Sequence, residues 1–391
     1  MSPRLAIVLS HPVQYYSPWF RWMARHTDLP LRVFYLWDAG VTKTRDPQFG
    51  AEFAWDVDLL SGYEHEFVPN VSSLPGTDHF NGLNNPTLTR RLQAWQPAAV
   101  LLFGYNYRSH LQLLVWARFH SVPVIFRGDS HLLGRSGLPW WKRLPLSLLF
   151  RQFAAFATVG SANREYFRSL GVPDQRLFFA PHCVDAERFR PDDTMRAAAA
   201  AQRTQLGLAA GARVVLFSGK FVPAKQPREL LEAFLAIRAP GTVLVFVGDG
   251  GEREALRTAA ARAPAGTVHF LPFANQSAMP ARYLMADLFV LPSRGLYETW
   301  GLAVNEAMHL GVPCLVSDRV GCQRDLVRDG ETGWVFPAAR SDGLQTGLAR
   351  AMDDLVLRPG AMGPAIARRI SQYTYAAATA GLRQAFDFVL R

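Results

Sequence analysis

Two glutamates, Glu298 and Glu306, stand on either side of a glycine, Gly301, in the most informative stretch of this 391-residue chain. The run 302–310 favours a helix, and Gly311 is typical of the residue that ends one. The apolar runs 288–291 and 312–316 are typical of buried strands. We therefore predict Glu298 in the loop at the carboxyl end of a strand and Glu306 on the helix that follows.

Ligands of open α/β folds bind at this edge of the sheet, where the strands end. The predicted helix start offers backbone N–H groups that have no partner within the helix, and such groups bind anions. A phosphate at the helix start, with hydroxyls on the two carboxylates, suits a nucleotide sugar. The residues expected to contact it are Glu298, Thr299, Trp300, Gly301, Leu302 and Glu306. The alternative is a solvated loop carboxylate at 298 and an ordinary surface glutamate at 306.

Two lysines follow another predicted strand, 213–218. Lys220 and Lys225 are fixed cations that would stabilise the negative charge of a leaving diphosphate without a metal ion. Gly219 lets the backbone approach such a ligand closely. We therefore assign these three residues to the donor site and give both lysines a catalytic role. The alternative is a pair of solvated loop lysines.

Polar and aromatic residues also follow strands in the first half of the chain. Tyr105 and Asn106 come after the strand 99–103 and suit stacking on, and hydrogen bonding to, a sugar or lipid-linked acceptor; core packing of the tyrosine is an equal alternative. Arg127, Asp129 and His131 come after the strand 123–126. Asp129, like Glu298, is a candidate catalytic carboxylate, with Arg127 as the cation that keeps Asp129 ionised. The alternative is that Asp129 caps the following turn.

The order of the elements predicts an α/β protein with two doubly wound parallel sheets. Apolar strands alternate with helices from residue 5 to about 190, and a second series begins near 211. We place the hinge at about 185–210, where the stretch 197–211 is predicted as a short helix plus a linker. Residues 42–85 are polar and irregular, which predicts loops and short strands. The two domains are predicted at 1–190 and 205–372, with a last helix at about 373–391.

The net charge of +10 is concentrated in residues 101–180, which hold ten basic and three acidic residues. Within it, the segment 132–151 combines two adjacent tryptophans with leucines and basic residues, which suits the surface of an anionic membrane. A packed helix with an arginine-rich outer face is the alternative. No nucleic-acid-binding motif accompanies the charge, so nucleic acid is not expected as a partner.

The three cysteines are too few and too scattered for a disulfide framework, and no metal-ligand spacing is present. Cys183 and Cys314 are predicted as core thiols. No secretory or membrane-spanning segment is apparent, so we expect a cytoplasmic protein, with peripheral binding to the inner face of the membrane left open.

The stretch 292–336 resembles the nucleotide-sugar signature of the retaining family 4 glycosyltransferases, in which P-S-x-x-E-x-F-G-L-x-x-x-E-A-M-A-x-G-x-P-V-V is followed by G-G-x-x-E and G-x-x-G. Here Trp300 replaces the usual Phe, Cys322 a usual Gly, and Asp325 a Glu. The segment 218–225 resembles the family's G-R-x-x-x-x-K-G, with Lys220 in place of Arg. The opening Ser10-His11-Pro12-Val13-Gln14-Tyr15 resembles an H-P-x-Q-Y subgroup.

The resemblance implies the GT-B fold, in which two Rossmann-like domains face a central cleft, and transfer of a sugar from a nucleotide diphosphate donor with retention. A UDP-sugar is the first choice and a GDP-sugar the second, with no cofactor and no metal. The acceptor would be a glycan, a lipid-linked molecule or a small molecule, and the expected setting is bacterial cell-surface polysaccharide or glycoconjugate synthesis.

In the same family Phe273 would contact the base, Glu306 the ribose and Glu298 the donor sugar. His11, Gln14 and Tyr15 would reach the donor or the acceptor. The family commonly has a histidine where this chain has Asp129, and His131 lies two residues further on. The alternatives are a noncatalytic sugar- or lipid-binding protein, or a phosphorylase or epimerase of the same fold. A two-Rossmann dehydrogenase is disfavoured because no G-x-G-x-x-G follows the first strand of either half.

Overall fold

The computed structural model describes residues 2–42, 44–45, 52–294 and 298–391. The chain forms two compact units. One contains most of the chain up to His182 together with the C-terminal segment Tyr375–Arg391, and the other contains Cys183–Thr374. The predicted loops and short strands at 42–85 lie partly outside the described residues.

The first unit is built on a seven-stranded sheet with the order β5-β2-β1-β6-β7-β8-β9, in which neighbouring strands are parallel. A short two-stranded sheet pairs β3 with β4. The elements are β1 (Leu5–Leu9), α1 (Ser17–His26), β2 (Leu31–Tyr35), β3 (Thr44–Arg45), β4 (Glu52–Phe53), β5 (His65–Phe67), α2 (Leu88–Trp95), β6 (Ala99–Phe103), α3 (Arg108–Phe119), β7 (Val124–Arg127), α4 (Trp140–Phe150), β8 (Ala155–Thr158), α5 (Ser161–Ser169) and β9 (Leu177–Phe179).

The second unit is built on a six-stranded sheet with the order β12-β11-β10-β13-β14-β15, again parallel between neighbours. Its elements are α6 (Asp193–Gln205), β10 (Arg213–Ser218), α7 (Pro227–Ile237), β11 (Thr242–Val247), α8 (Arg253–Ala260), β12 (Val268–Leu271), α9 (Met279–Leu284), β13 (Leu288–Leu291), α10 (Leu302–His309), β14 (Cys314–Ser317), α11 (Gln323–Leu326), β15 (Gly333–Phe336), α12 (Gly343–Leu357) and α13 (Gly363–Ile370).

The central strands of both sheets are buried on their two faces, because helices cover each face and these strands are almost entirely apolar. Every residue of β1 and of β11 is buried. The predicted α/β class with two parallel sheets is therefore confirmed. The stretch predicted as a short helix plus a linker differs, because α6 already begins at Asp193, where the Asp192 carboxylate caps its first turn by accepting a hydrogen bond from the Met195 N–H at 2.7 Å.

The last helix, α14 (Tyr375–Val389), belongs to the first unit and packs against β8 and β9. Gly381 allows this close packing, since a Cβ there would lie 1.8 Å from the carbonyl oxygen of Phe179. On the other side, the Trp19 indole N–H of α1 donates a hydrogen bond to the Thr379 hydroxyl at 2.9 Å. These contacts fix α14 beside the strand ends that carry the first unit's polar residues.

Candidate functional site

In each sheet the strand order reverses at one point, which is where open α/β folds bind ligands. In the second unit the reversal lies between β10 and β13, which are hydrogen-bonded neighbours with Val215 opposite Leu288. The loops that follow these two strands carry Lys220 and Lys225 on one side and Glu298 on the other. Chain connectivity thus brings together residues that are more than seventy positions apart.

Lys225 and Glu298 form an ion pair at this point. The Ser293 hydroxyl, which comes directly after β13, donates a hydrogen bond of 2.7 Å to the same Glu298 carboxylate. Ser317, at the end of β14, in turn donates to the main-chain carbonyl of Ser293. The side chains of Lys225 and Glu298 retain 29% and 11% of their exposure, so neither is the freely solvated residue that the alternative interpretation required.

Glu306 lies on α10 and is only 3% exposed, so the alternative of a surface glutamate is wrong. The Tyr283 hydroxyl of α9 donates a hydrogen bond of 2.7 Å to its carboxylate. A buried carboxylate is stable only when it is hydrogen-bonded or paired. Glu306 is therefore held by the fold at a fixed position below the start of its helix, which its predicted role in binding ribose hydroxyls requires.

The start of α10 is shaped by Gly301, whose φ of +100° is in the left-handed region. A Cβ at this position would lie 2.9 Å from Val320 Cγ1 and 3.0 Å from Leu291 Cδ2, so glycine is required by both conformation and space. The first N–H groups of α10, at Leu302 and beyond, point away from the helix body as in any α-helix. Residues 295–297 lie outside the described residues.

Trp300 contributes its backbone, and not its side chain, to this helix start. The indole is 3% exposed and its N–H donates a hydrogen bond of 2.8 Å to the Asn305 side-chain oxygen. Thr299 next to it is partly exposed. The other donor-site candidates lie at the ends of other strands. Gly219 and Lys220 follow β10 and are half-buried, and Phe273, also half-buried, follows β12.

The first unit has a second cluster of polar and aromatic residues at the ends of its strands. Arg127, the last residue of β7, is 2% exposed and donates hydrogen bonds to the carbonyl oxygens of Ala180 at 2.7 Å and Pro181 at 3.3 Å. Its guanidinium lies 4.9 Å from the centre of the Trp19 ring. Arg127 therefore connects β7 to the chain that leaves β9, across the end of β8.

Asp129 lies beside a residue that sequence reasoning missed, His182. The Asp129 Oδ2 and His182 Nε2 atoms are 3.7 Å apart, and the Tyr16 ring stacks on the imidazole with the ring centres 6.0 Å apart. His182 follows the strand β9, as Asp129 follows β7. The available signal is a polar residue within three positions of the end of an apolar strand. His182 after β9 and Ser293 after β13 both show it.

Other candidates of the first unit lie after the strands β1 and β7. Burial lowers the pKa of His11 to about 4, and its Nδ1 lies 2.9 Å from the Ser10 hydroxyl. His131 accepts a hydrogen bond from the Leu133 N–H at 3.1 Å. Gln14 is buried, and Tyr15 is half-buried.

Tyr105 packs against the rings of Phe126 and Phe150, with ring centres 5.9 and 5.7 Å apart, so the packing alternative describes this side chain. Asn106 beside it is exposed. Cys183 and Cys314 are buried free thiols, as predicted.

Comparison with known proteins agrees with this architecture. The solved structure of the Anabaena protein Alr3699/HepE in complex with UDP has a TM-score of 0.73 and 16% sequence identity, and covers 98% of this chain and 99% of that one. The fold is thus the GT-B fold of two Rossmann-like units. The model for glycosyl transferases group 1 matches residues 199–368.

Two curated mannosyltransferases are similar in sequence, both named as GDP-mannose-dependent alpha-(1-6)-phosphatidylinositol monomannoside mannosyltransferases. The Mycobacterium tuberculosis protein (strain CDC 1551 / Oshkosh) is 33% identical over 324 residues, which cover 79% of each chain. The Mycolicibacterium smegmatis protein is 34% identical over 250 residues, 62% of this chain and 64% of its own length. The chain belongs to the glycosyl transferases group 1 family. The chain spans less than two thirds of the length of the latter relative.

Proposed function

We propose that this protein is a glycosyltransferase that moves a sugar from a nucleoside diphosphate sugar to a hydroxyl of a glycan, lipid-linked or small-molecule acceptor. The observation that carries the proposal is the group of Lys225, Ser293 and Glu298 beside the start of α10, at the reversal point of the second sheet. Cations and helix N–H groups suit the diphosphate, and buried carboxylates suit sugar hydroxyls. Family membership supports the same assignment.

In the reaction the bond between the anomeric carbon and the phosphate oxygen breaks, and the acceptor oxygen forms the new bond to that carbon. The acceptor proton passes to the leaving phosphate, so no protein nucleophile and no metal ion is needed for a transfer with retention. Lys220 and Lys225 stabilise the charge that the diphosphate gains. The family relatives named for GDP-mannose and the fold neighbour solved with UDP make guanine and uracil the two bases to compare first.

Thermal stabilisation by UDP, GDP and ADP tests the donor site, because a ligand that binds only the folded state raises the melting temperature. We expect a shift with one nucleotide, its loss in Lys225→Ala, and its reduction in Glu306→Ala. Lys142→Ala, an exposed lysine of the first unit, is the matched control and should retain the full shift. The absence of a shift with any nucleotide would reject the donor site.

Turnover separates the enzyme from a noncatalytic binding protein of the same fold. With the nucleotide that stabilises the protein, its common sugar conjugates are incubated with and without candidate acceptors, and release of the free nucleoside diphosphate is followed. We expect release that depends on the sugar and increases with the correct acceptor. Tight nucleotide-sugar binding without any release would support the binding protein instead.

We also propose that the first unit docks on an anionic membrane on the cytoplasmic side, where a lipid-linked acceptor is reached. On α4, Trp140 and Trp141 are 77% and 56% exposed, and Leu144 and Leu148 are 58% and 50% exposed. The alternative of a packed helix describes one face of α4, where Phe150 is buried and Leu146 and Leu149 pack against the core, but it leaves this exposed apolar face unexplained. The segment 132–151 contains four basic residues and no acidic one. Among the described residues no helix is long and apolar enough to cross a membrane.

The neighbouring helix α3 extends this surface. Phe119 and Val115 are 82% and 57% exposed on α3. Arg118 of α3, Arg151 after α4 and Arg176 before β9 line one open cavity of about 370 Å³ between these elements. Aromatic side chains at the interface and arginines on lipid phosphates are the two contributions that bind peripheral proteins to anionic lipids.

Vesicle co-sedimentation tests this surface. We expect binding to phosphatidylglycerol-containing vesicles that weakens with salt and is lost on pure phosphatidylcholine. A Trp140→Ser, Trp141→Ser double variant should lose most of the binding, whereas Leu357→Ser, an equally exposed apolar residue of the second unit, should not. Equal binding by both variants would reject α4 as the docking surface.

A further inference from the structure

Asp129 and His182 differ sharply in exposure although they face each other. The His182 side chain is 3% exposed, whereas the Asp129 carboxylate is 39% exposed. Their closest atoms are 3.7 Å apart, which is only about 0.5 Å beyond a direct N–H···O hydrogen bond. The carboxylate thus has one side towards solvent and one side towards a buried imidazole.

The position of His182 is fixed by its surroundings. The two residues before it, Ala180 and Pro181, accept hydrogen bonds from the Arg127 guanidinium through their carbonyl oxygens. The Tyr16 ring stacks on the imidazole from the loop after β1. Three strand ends, those of β1, β7 and β9, therefore hold a histidine that has little freedom to turn away from Asp129.

The electrostatics favour a neutral imidazole at His182. Burial lowers the pKa of His182, and the nearby Arg127 cation lowers it too, whereas Asp129 raises it. A neutral imidazole protonated at Nε2 is a hydrogen-bond donor towards Asp129, and each oxygen of a carboxylate can accept more than one hydrogen bond.

We propose that Asp129 and His182 form one functional pair, in which the Asp129 carboxylate accepts a hydrogen bond from a sugar hydroxyl and His182 orients that carboxylate from behind. The inference rests on the proposed function, since it names residues for the same reaction. Asp129 is the residue that contacts the sugar, and His182 is a positioning residue.

A double-substitution cycle tests the pair. Asp129→Asn and His182→Gln are made singly and together, with His26→Gln, an exposed histidine at the end of α1, as the control. We expect each single variant to lose about 10²-fold in kcat with the nucleotide-induced thermal shift unchanged, and the double variant to lose no more than about twice the larger single loss. Losses that multiply to about 10⁴-fold would overturn the pair.

A spectroscopic readout keeps the test independent of activity. The NMR signals of the His182 ring nitrogens report its tautomer and protonation state. In Asp129→Asn the apparent pKa of His182 should fall further, because the group that raises it is neutralised. An unchanged His182 titration would overturn the pair even if kcat falls.

The rates of donor hydrolysis and of sugar transfer show whether the donor or the acceptor supplies the hydroxyl that contacts Asp129. They also distinguish a failure of this proposal from a failure of the proposed function. If the donor sugar supplies that hydroxyl, Asp129→Asn slows donor hydrolysis without acceptor as much as transfer; if the acceptor supplies it, only transfer slows. Both results support the pair, and an effect on neither rejects it. If the unsubstituted protein turns over no nucleotide sugar, the proposed function fails, while the ring-nitrogen titration still decides whether the two residues are coupled.

Discussion

The two candidate sites are built at the same edge of similar sheets but from differently distributed residues. In the second unit, Ser293, Glu298 and Glu306 come from one stretch of fourteen positions, and only Lys225 is distant in sequence. In the first unit, Arg127, His182 and their aromatic neighbours come from three separate strand ends. A contiguous signature marks the candidate site of the second unit, whereas in the first unit His182 joins Arg127 and Asp129 only after folding.

The largest effect is expected at the ion pair of the second unit. Glu298→Gln removes the charge that pairs with Lys225 and weakens the acceptor for the Ser293 hydroxyl. If the carboxylate holds the donor sugar and positions the lysine, kcat should fall about 10²- to 10³-fold, the range for loss of one fixed electrostatic group. Steady-state kinetics measure the loss.

Glu331→Gln, an exposed glutamate of the same unit, is the matched control and should keep its activity. A Glu298→Gln variant with an unchanged kcat would contradict the donor-site assignment. If kcat falls further in Glu298→Gln than in Asp129→Asn, the contrast between the units becomes sharper. Catalysis would then depend more on the unit that carries the signature.

Gly301→Ala should cost about 2–3 kcal/mol of stability, because a Cβ would crowd Val320 and Leu291 in a backbone with φ +100°. Gly311→Ala is a matched control, since its φ is +77° and a Cβ there has nothing within 4 Å. We expect about 1 kcal/mol for the control, from conformation alone. Urea unfolding curves of both variants give the difference, and equal costs would show that crowding at α10 is unimportant.

The sequence predicts most strands and helices of both units because their apolar runs are continuous and bounded by glycine or proline. It also predicts that Lys225 and Glu298 belong to one site, since both follow predicted strands. It does not predict that Glu306 is held by Tyr283, or that Arg127 reaches the carbonyl of Ala180. Those contacts depend on which strand ends become neighbours, and no local pattern encodes that order.

The first unit should be more sensitive to acid because of a buried histidine outside its site. Burial lowers the pKa of His110 to about 3, and neither ring nitrogen has a hydrogen-bond partner in the described part of the chain. Below pH 6.5 the unfolded state binds a proton that the folded state does not, so stability falls as the pH falls from 6.5 towards 3.

His110→Leu should weaken this dependence, while the buried His11, whose pKa is also lowered, keeps part of it. Between pH 7 and pH 5 the unsubstituted protein should lose about 2 kcal/mol more than the variant, and urea unfolding at the two pH values measures the difference. His120→Leu, at the exposed end of the same helix, should leave the pH dependence unchanged. Parallel pH profiles for His110→Leu and the unsubstituted protein would show that His110 does not carry the acid sensitivity.

The smallest effect is expected where the second unit departs from its signature. Trp300→Phe restores the residue that similar glycosyltransferases have, but it removes the hydrogen bond from the indole N–H to Asn305. We expect a cost of about 1 kcal/mol in stability and no change in kcat, because the buried indole supports α10 and only the backbone of residue 300 lies at the helix start. Thermal melts and kinetics of one preparation give both values. A fall in kcat without a fall in stability would instead make the tryptophan ring part of the ligand site. The site of the second unit would then depend on a residue that differs from the signature, and the contrast with the first unit would be weaker.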